Sequence, residues 1–113
     1  MRSGAALIHP TMNHGNIHDH AGAPTTGERF DTLLRHRNLH VERIVSSRDI
    51  QPTEYVQEQD EWVLLVQGTA TLEIDGKATE LKAGDHVFLP ARTPHTVTAV
   101  SQGALWLAIH LHP

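Results

Sequence analysis

Residues 61–95 read EWVLLVQGTATLEIDGKATELKAGDHVFLPARTPH, and this stretch decides the fold class. Trp62 to Val66 is a nearly continuous apolar run, which suits a strand in a barrel or sandwich wall with both faces covered. Gly68 interrupts it. Thr71-Leu72-Glu73-Ile74 then alternates, and Asp75-Gly76 is a strong hairpin signal, because a type I′ turn needs positive φ at both central residues. Thr79-Glu80-Leu81 returns, Ala83-Gly84-Asp85 turns again, and His86 to Leu89 is stopped by Pro90. The spacing predicts short strands joined by tight turns.

Outward from this stretch the same rhythm holds. Val41 to Val45, Thr96 to Val100 and Ala104 to Leu111 are further β-rich segments, so seven or eight strands are expected and the fold class is all-β. Thr26 to Leu34 differs: Phe30, Leu33 and Leu34 fall at i, i+3 and i+4, which predicts one short helix. Residues 1–24 hold Gly4, Gly15, Gly22, Pro10 and Pro24 with little apolar periodicity. They read as a flexible His-rich arm carrying His9, His14, His18 and His20, ahead of one domain over 25–113.

Composition excludes several functions. The chain has no cysteine, so a disulfide framework, a thiolate metal site and a cysteine nucleophile are all ruled out. A net charge of −4 with no clustered Lys/Arg face argues against nucleic acid as a partner. Ala5 to Ile8 is too short for a signal-peptide core or a membrane span, so a soluble, cytoplasmic protein is expected. The ten histidines are what stands out in 113 residues.

Two segments carry a family resemblance. Gly84, Pro90 and His95 stand with the glycine six before the proline and the histidine five after it, and this resembles the second cupin motif, whose histidine binds metal. Glu61 stands seven before Gly68, which resembles the end of the first cupin motif with its ligating glutamate. The chain is thereby identified as similar to small single-domain bacterial cupins. That resemblance implies a jelly-roll β-barrel, a divalent metal ion (Fe, Mn, Ni or Zn), a small-molecule ligand or substrate, and a homodimer. It is incomplete: the two histidines of the first motif are Tyr55 and Gln57 here, and Asp49, Arg92 and Ala99 replace other motif residues.

The implied metal ligands are Gln57, Glu61, His95 and Tyr55, with Tyr55 and Glu61 as catalytic candidates and Arg92 placed to orient an anionic group of a substrate. Alternate residues on a strand share a face, so Tyr55, Gln57 and Glu61 have the same parity. A carboxylate inside a small barrel must be paired, hydrogen-bonded or metal-bound. A metal-free, non-catalytic ligand-binding barrel, in which these four side chains hydrogen-bond one another, stands beside the metal reading. Glu42 and Arg43 point to opposite faces, so one of them enters the interior. His110 and His112 share a parity near the C-terminus, as a pair or as an exposed strand end.

Overall fold

The computed structural model describes residues 14–113 and is all-β. Eight strands run in order: β1 (Glu28–His36), β2 (Leu39–Ser46), β3 (Asp60–Gln67), β4 (Thr69–Ile74), β5 (Lys77–Lys82), β6 (His86–Leu89), β7 (His95–Val100) and β8 (Ala104–Leu111). They form a five-stranded sheet, β1-β2-β8-β3-β6, and a three-stranded sheet, β5-β4-β7, with every named ladder antiparallel. The expected single closed barrel is corrected on this point: the strands pair as two separate sheets and the wall is open between them. Chain crossings explain the jelly-roll layout. At Gly68, with φ of 96°, the chain leaves β3 in one sheet and enters β4 in the other. A Cβ there would stand 2.6 Å from Ser101 Oγ, so only glycine fits the crossing.

Burial follows the pleat. Along β3, Glu61, Val63 and Leu65 are buried while Trp62, Leu64 and Val66 are half-buried, so the apolar run has one core face and one partly covered face. The core joins Val63, Leu65, Trp106 and Ala108 of the larger sheet to Ala70, Leu72, Leu81 and Val100 of the smaller one. Lys77 pairs with Ile74 across the Asp75-Gly76 turn, as the hairpin signal requires.

The short helix expected over Thr26 to Leu34 is a strand instead. β1 pairs with β2, and its register passes from Thr32 opposite Glu42 to Leu34 opposite Val41, which leaves Leu33 as an inserted residue. A bulge of this kind shifts the alternation by one residue, and the shifted pattern mimics helical spacing. Phe30 and Leu33 are also exposed, at 54% and 46%, so no buried stripe exists for a helix to supply.

The segment before β1 is only partly described; His9 and the rest of 1–13 lie outside the described residues. Residues 14–24 contain no strand and are held against the outer face of β1 and β2. Arg29 donates to the His20 and Gly22 carbonyls, both at 2.8 Å, and Arg43 donates to the Ile17 carbonyl at 2.9 Å and to that of Asp19. Among the described residues no helix is long and apolar enough to cross a membrane.

Candidate functional site

Cross-strand register builds one end of the interior. His40 on β2, His110 on β8 and Glu61 on β3 stand in one row across the larger sheet. Glu42 is two residues beyond His40, and therefore on the same face; its row continues through Ala108 and Val63. The next row is Ile44, Trp106 and Leu65. The inner face thus grades from ionisable side chains at one end to apolar ones at the other.

The second wall comes from β7 and the loops beside it. Tyr55 and His95 exchange backbone hydrogen bonds, Tyr55 N–H to His95 O at 2.9 Å and His95 N–H to Tyr55 O at 3.0 Å. The Arg92 N–H donates to the Gln57 carbonyl at 2.6 Å, and Asp60 Oδ1 accepts from the Ala91 N–H at 2.8 Å. The loop carrying Tyr55 and Gln57 is thereby tied to the loop that leads into His95. Together these walls enclose a cavity of about 150 Å³ whose lining includes Tyr55, Gln57, Glu61, His95, Glu42 and His110 over a floor of Val63, Leu72, Leu89, Val97 and Trp106.

Glu61 sits between two histidines. His95 Nε2 lies 3.7 Å from Glu61 Oε1, and His110 Nε2 lies 3.8 Å from Glu61 Oε2, both beyond hydrogen-bond distance. Glu61 is 7% exposed, His95 8% and His110 5%. His95 Nδ1 is 3.0 Å from the Thr93 carbonyl oxygen, which can only accept; Nδ1 therefore carries a proton, and in the neutral ring Nε2 turns its lone pair toward Glu61. His110 is held differently: its Nε2 donates to Glu42 Oε2 at 2.8 Å, and its Nδ1 stands 3.3 Å from the Gln59 amide nitrogen.

Electrostatics follow from burial and like charge. Burial pushes the Glu61 carboxyl above its ordinary value; the His110 and His95 charges oppose this, and Glu42 adds to it. For His110, burial pulls the imidazole down, but the Glu42 hydrogen bond and the Glu61 and Glu42 charges outweigh it, so the group is raised.

The four expected ligands, Tyr55, Gln57, Glu61 and His95, all line this one cavity. Tyr55 stands at its mouth, half-exposed, with its ring 6.0 Å from that of His95. Arg92 is not brought to the lining: it is 68% exposed and pairs with Glu58 at 3.1 Å, itself 74% exposed. Of the two neighbours Glu42 and Arg43, Glu42 is the one that enters. Glu42, His110 and His40 are the residues the sequence left unassigned; the inward parity of Trp106, Ala108 and His110 on β8 is the signal that could have found His110.

Comparison with known proteins places this arrangement. The cupin domain family model matches residues 43–110, well over half of the chain, and the chain belongs to the cupin family. Among solved structures, a presumed mannose-6-phosphate isomerase from Ralstonia eutropha JMP134 is 30% identical, with a TM-score of 0.78 over 88% of this chain and 98% of that one. KdgF from a Halomonas species is 22% identical with a TM-score of 0.71, covering 77% and 80% of the two chains. A Streptococcus pyogenes protein of unknown function is 18% identical with a TM-score of 0.76, covering 95% and 91%. The last two likenesses bear on the fold alone. No curated protein matches the sequence.

Proposed function

We propose that the cavity holds a divalent metal ion together with a small polar ligand, with Glu61 and His95 as the anchoring donors. The observation that carries this reading is the unsatisfied pairing at the centre: a buried carboxylate faces an imidazole nitrogen with a free lone pair, 3.7 Å apart. That separation is too long for a hydrogen bond and suits two donors around one ion, with each donor about 2.1 Å from the metal. The donor set fits a borderline or hard divalent ion, since Gln57 and Tyr55 would add oxygen where imidazole is usual. When bound, such an ion would polarise a carbonyl or hydroxyl oxygen of the ligand.

The chain's own residues define the rest. Val63, Leu72, Leu89, Val97 and Trp106 make a floor that excludes water, and a volume of about 150 Å³ admits only a small molecule or one end of a larger one. Glu61, with its carboxyl raised by burial, holds a proton more readily than an exposed carboxylate does. The Tyr55 hydroxyl is the second proton-handling group, at the mouth. Glu42 and Glu61 make the interior acidic, which favours hydroxyl-bearing ligands over free anions. A likeness of 30% to a presumed sugar-phosphate isomerase agrees with a small polyhydroxylated ligand.

Metal analysis of untagged protein tests this. Wild type reconstituted with Mn²⁺, Fe²⁺, Ni²⁺ or Zn²⁺ should retain metal through desalting, and Glu61→Gln and His95→Ala should each lose affinity at least tenfold. Wild type that retains no ion, or variants that retain as much as wild type, would sink the proposal. A second reading, a metal-free barrel that binds ligand through hydrogen bonds alone, is favoured by the His110–Glu42 bond, which occupies one inward imidazole nitrogen at 2.8 Å. Stabilisation by small polyols that chelator leaves unchanged would select it.

A further inference from the structure

We infer that His40, Glu42 and His110 form a second metal site on β2 and β8, beside the Glu61–His95 pair and distinct from it. One ligand atom from each of the three lies within 4.8 Å of the others. The geometry has a simple origin. His40 and His110 are direct cross-strand partners, and Glu42 is the next inward residue along β2. Their imidazole rings stack with centroids 5.5 Å apart and planes at 24°, which brings both ring edges to the same carboxylate. Two imidazoles and one carboxylate are a common donor set for Zn²⁺ and Fe²⁺ sites with open coordination positions.

Three features separate this cluster from an incidental group of polar side chains. His110 is buried and Glu42 half-buried, with side chains 6% and 14% exposed, so the carboxylate calls for a compensating positive charge. His110 is oriented from behind by the Gln59 amide at Nδ1, 3.3 Å away, which leaves Nε2 as the inward donor. His40 is likewise positioned by Thr32 Oγ1, 3.0 Å from its Nε2. A bound ion would displace the proton now shared between His110 Nε2 and Glu42, so binding would release it to solvent.

The cluster also accounts for what the first motif lacks. Where Tyr55 and Gln57 stand in place of histidines, His110 and Glu42 reach the cavity lining from the opposite wall, with His40 beside His110 just outside it. Glu61 lies between the two sites, one oxygen 3.7 Å from His95 Nε2 and the other 3.8 Å from His110 Nε2. A ligand in the cavity would therefore meet both.

Zinc titration of the full untagged chain, read by competition with a chromophoric chelator, is the test. The background carries His9→Asn, His14→Asn, His18→Asn and His20→Asn, so that the imidazoles of the N-terminal segment do not compete. His40→Ala and Glu42→Gln should each weaken one class of Zn²⁺ binding at least tenfold and lower the stoichiometry by one, while His95→Ala leaves that class intact. If His40→Ala does not fold, His40→Gln keeps a polar side chain against Thr32 and serves instead. An unchanged titration in both the His40 and Glu42 variants overturns the site. Loss of all binding in His95→Ala as well as in His40→Ala also overturns it, by showing one shared ion. Failure of the Glu61–His95 proposal alone would look different: His95→Ala would change nothing while His40→Ala still removed a zinc.

Discussion

Glu42 and Arg43 are neighbours in β2, and the charge clusters built on them lie on opposite faces of one sheet. On the outer face the donors of Arg43 are engaged: Nε and Nη2 donate to Asp31 at 3.0 and 2.8 Å, and Nη1 donates to two carbonyls of the segment before β1. On the inner face, Glu61 stands 3.7 and 3.8 Å from its two histidines, beyond hydrogen-bond distance of either. Arg43 and Glu61 are both buried, yet only the cluster around Arg43 is closed. A closed cluster fixes chain geometry, whereas an open one retains donor capacity for something that arrives later.

The closed cluster should be the costlier one to break. Arg43→Met keeps the apolar stem and removes every donor, leaving Asp31 with Arg29 alone and two carbonyls without their partner. A loss of about 3 kcal/mol is expected from urea unfolding, as for breaking a buried pair. Faster proteolysis within residues 17–22 should accompany it, because that segment loses one of its two arginine anchors. A loss below about 1 kcal/mol would show that the outer cluster is no more structural than a surface pair.

Neutralising one carboxylate on each face should give opposite signs. For Asp31, burial works to raise the carboxyl, but the hydrogen bonds and charges of Arg43 and Arg29 together outweigh it and the group is lowered. Its native-state value lies below its unfolded one, so its contribution is present above the ordinary carboxylate range and is lost as pH falls through the native value. Asp31→Asn should therefore be less stable than wild type by about 1–2 kcal/mol at pH 7, with the gap closing in acid. Glu61 is raised, so its contribution is present in acid and lost as pH rises through its native value. In chelator-treated protein, Glu61→Gln should be more stable than wild type at pH 7, by about 1 kcal/mol. Melting curves across pH decide it; the same sign for both variants would remove the distinction between the faces.

The contrast between faces was only half legible in the sequence. Asp75-Gly76, the apolar run at 62–66 and the spacing of Glu61, Gly68, Gly84, Pro90 and His95 are local signals; they led to the observed strands and turns, and Glu61 and His95 do line one cavity. Parity placed Glu42 and Arg43 on opposite faces without saying which was inside. What failed depends on pairing. Leu33 reads as part of a helix because a bulge against β2 breaks the alternation, and nothing within residues 26–34 announces that partner. His40 and Glu42 meet His110 across a separation of about 70 residues, through a register that no periodicity along one segment encodes. Tyr55 and Gln57 were visible as substitutions, while the place of the His110 imidazole in the same cavity was not. The open barrel has the same origin, since β3 and β4 adjoin in sequence yet pair in different sheets.

Arg92 gives the smallest expected effect and sharpens the comparison from a third position, the solvent. Its partner Glu58 is as exposed as it is, so the pair belongs to neither cluster, and Arg92→Ala should change stability by less than about 0.5 kcal/mol. The backbone nevertheless keeps Arg92 close to the mouth: its φ is 61° and its N–H is bonded to Gln57, a residue of the cavity lining. An anionic group on a ligand would compete with Glu58 for the guanidinium. Arg92→Ala should then weaken binding of a sugar phosphate about fivefold at low salt, leave binding of the unphosphorylated sugar unchanged, and lose its effect at high salt. Equal affinity for the phosphate in both proteins at low salt would return Arg92 to the solvated surface and confine recognition to the cavity itself.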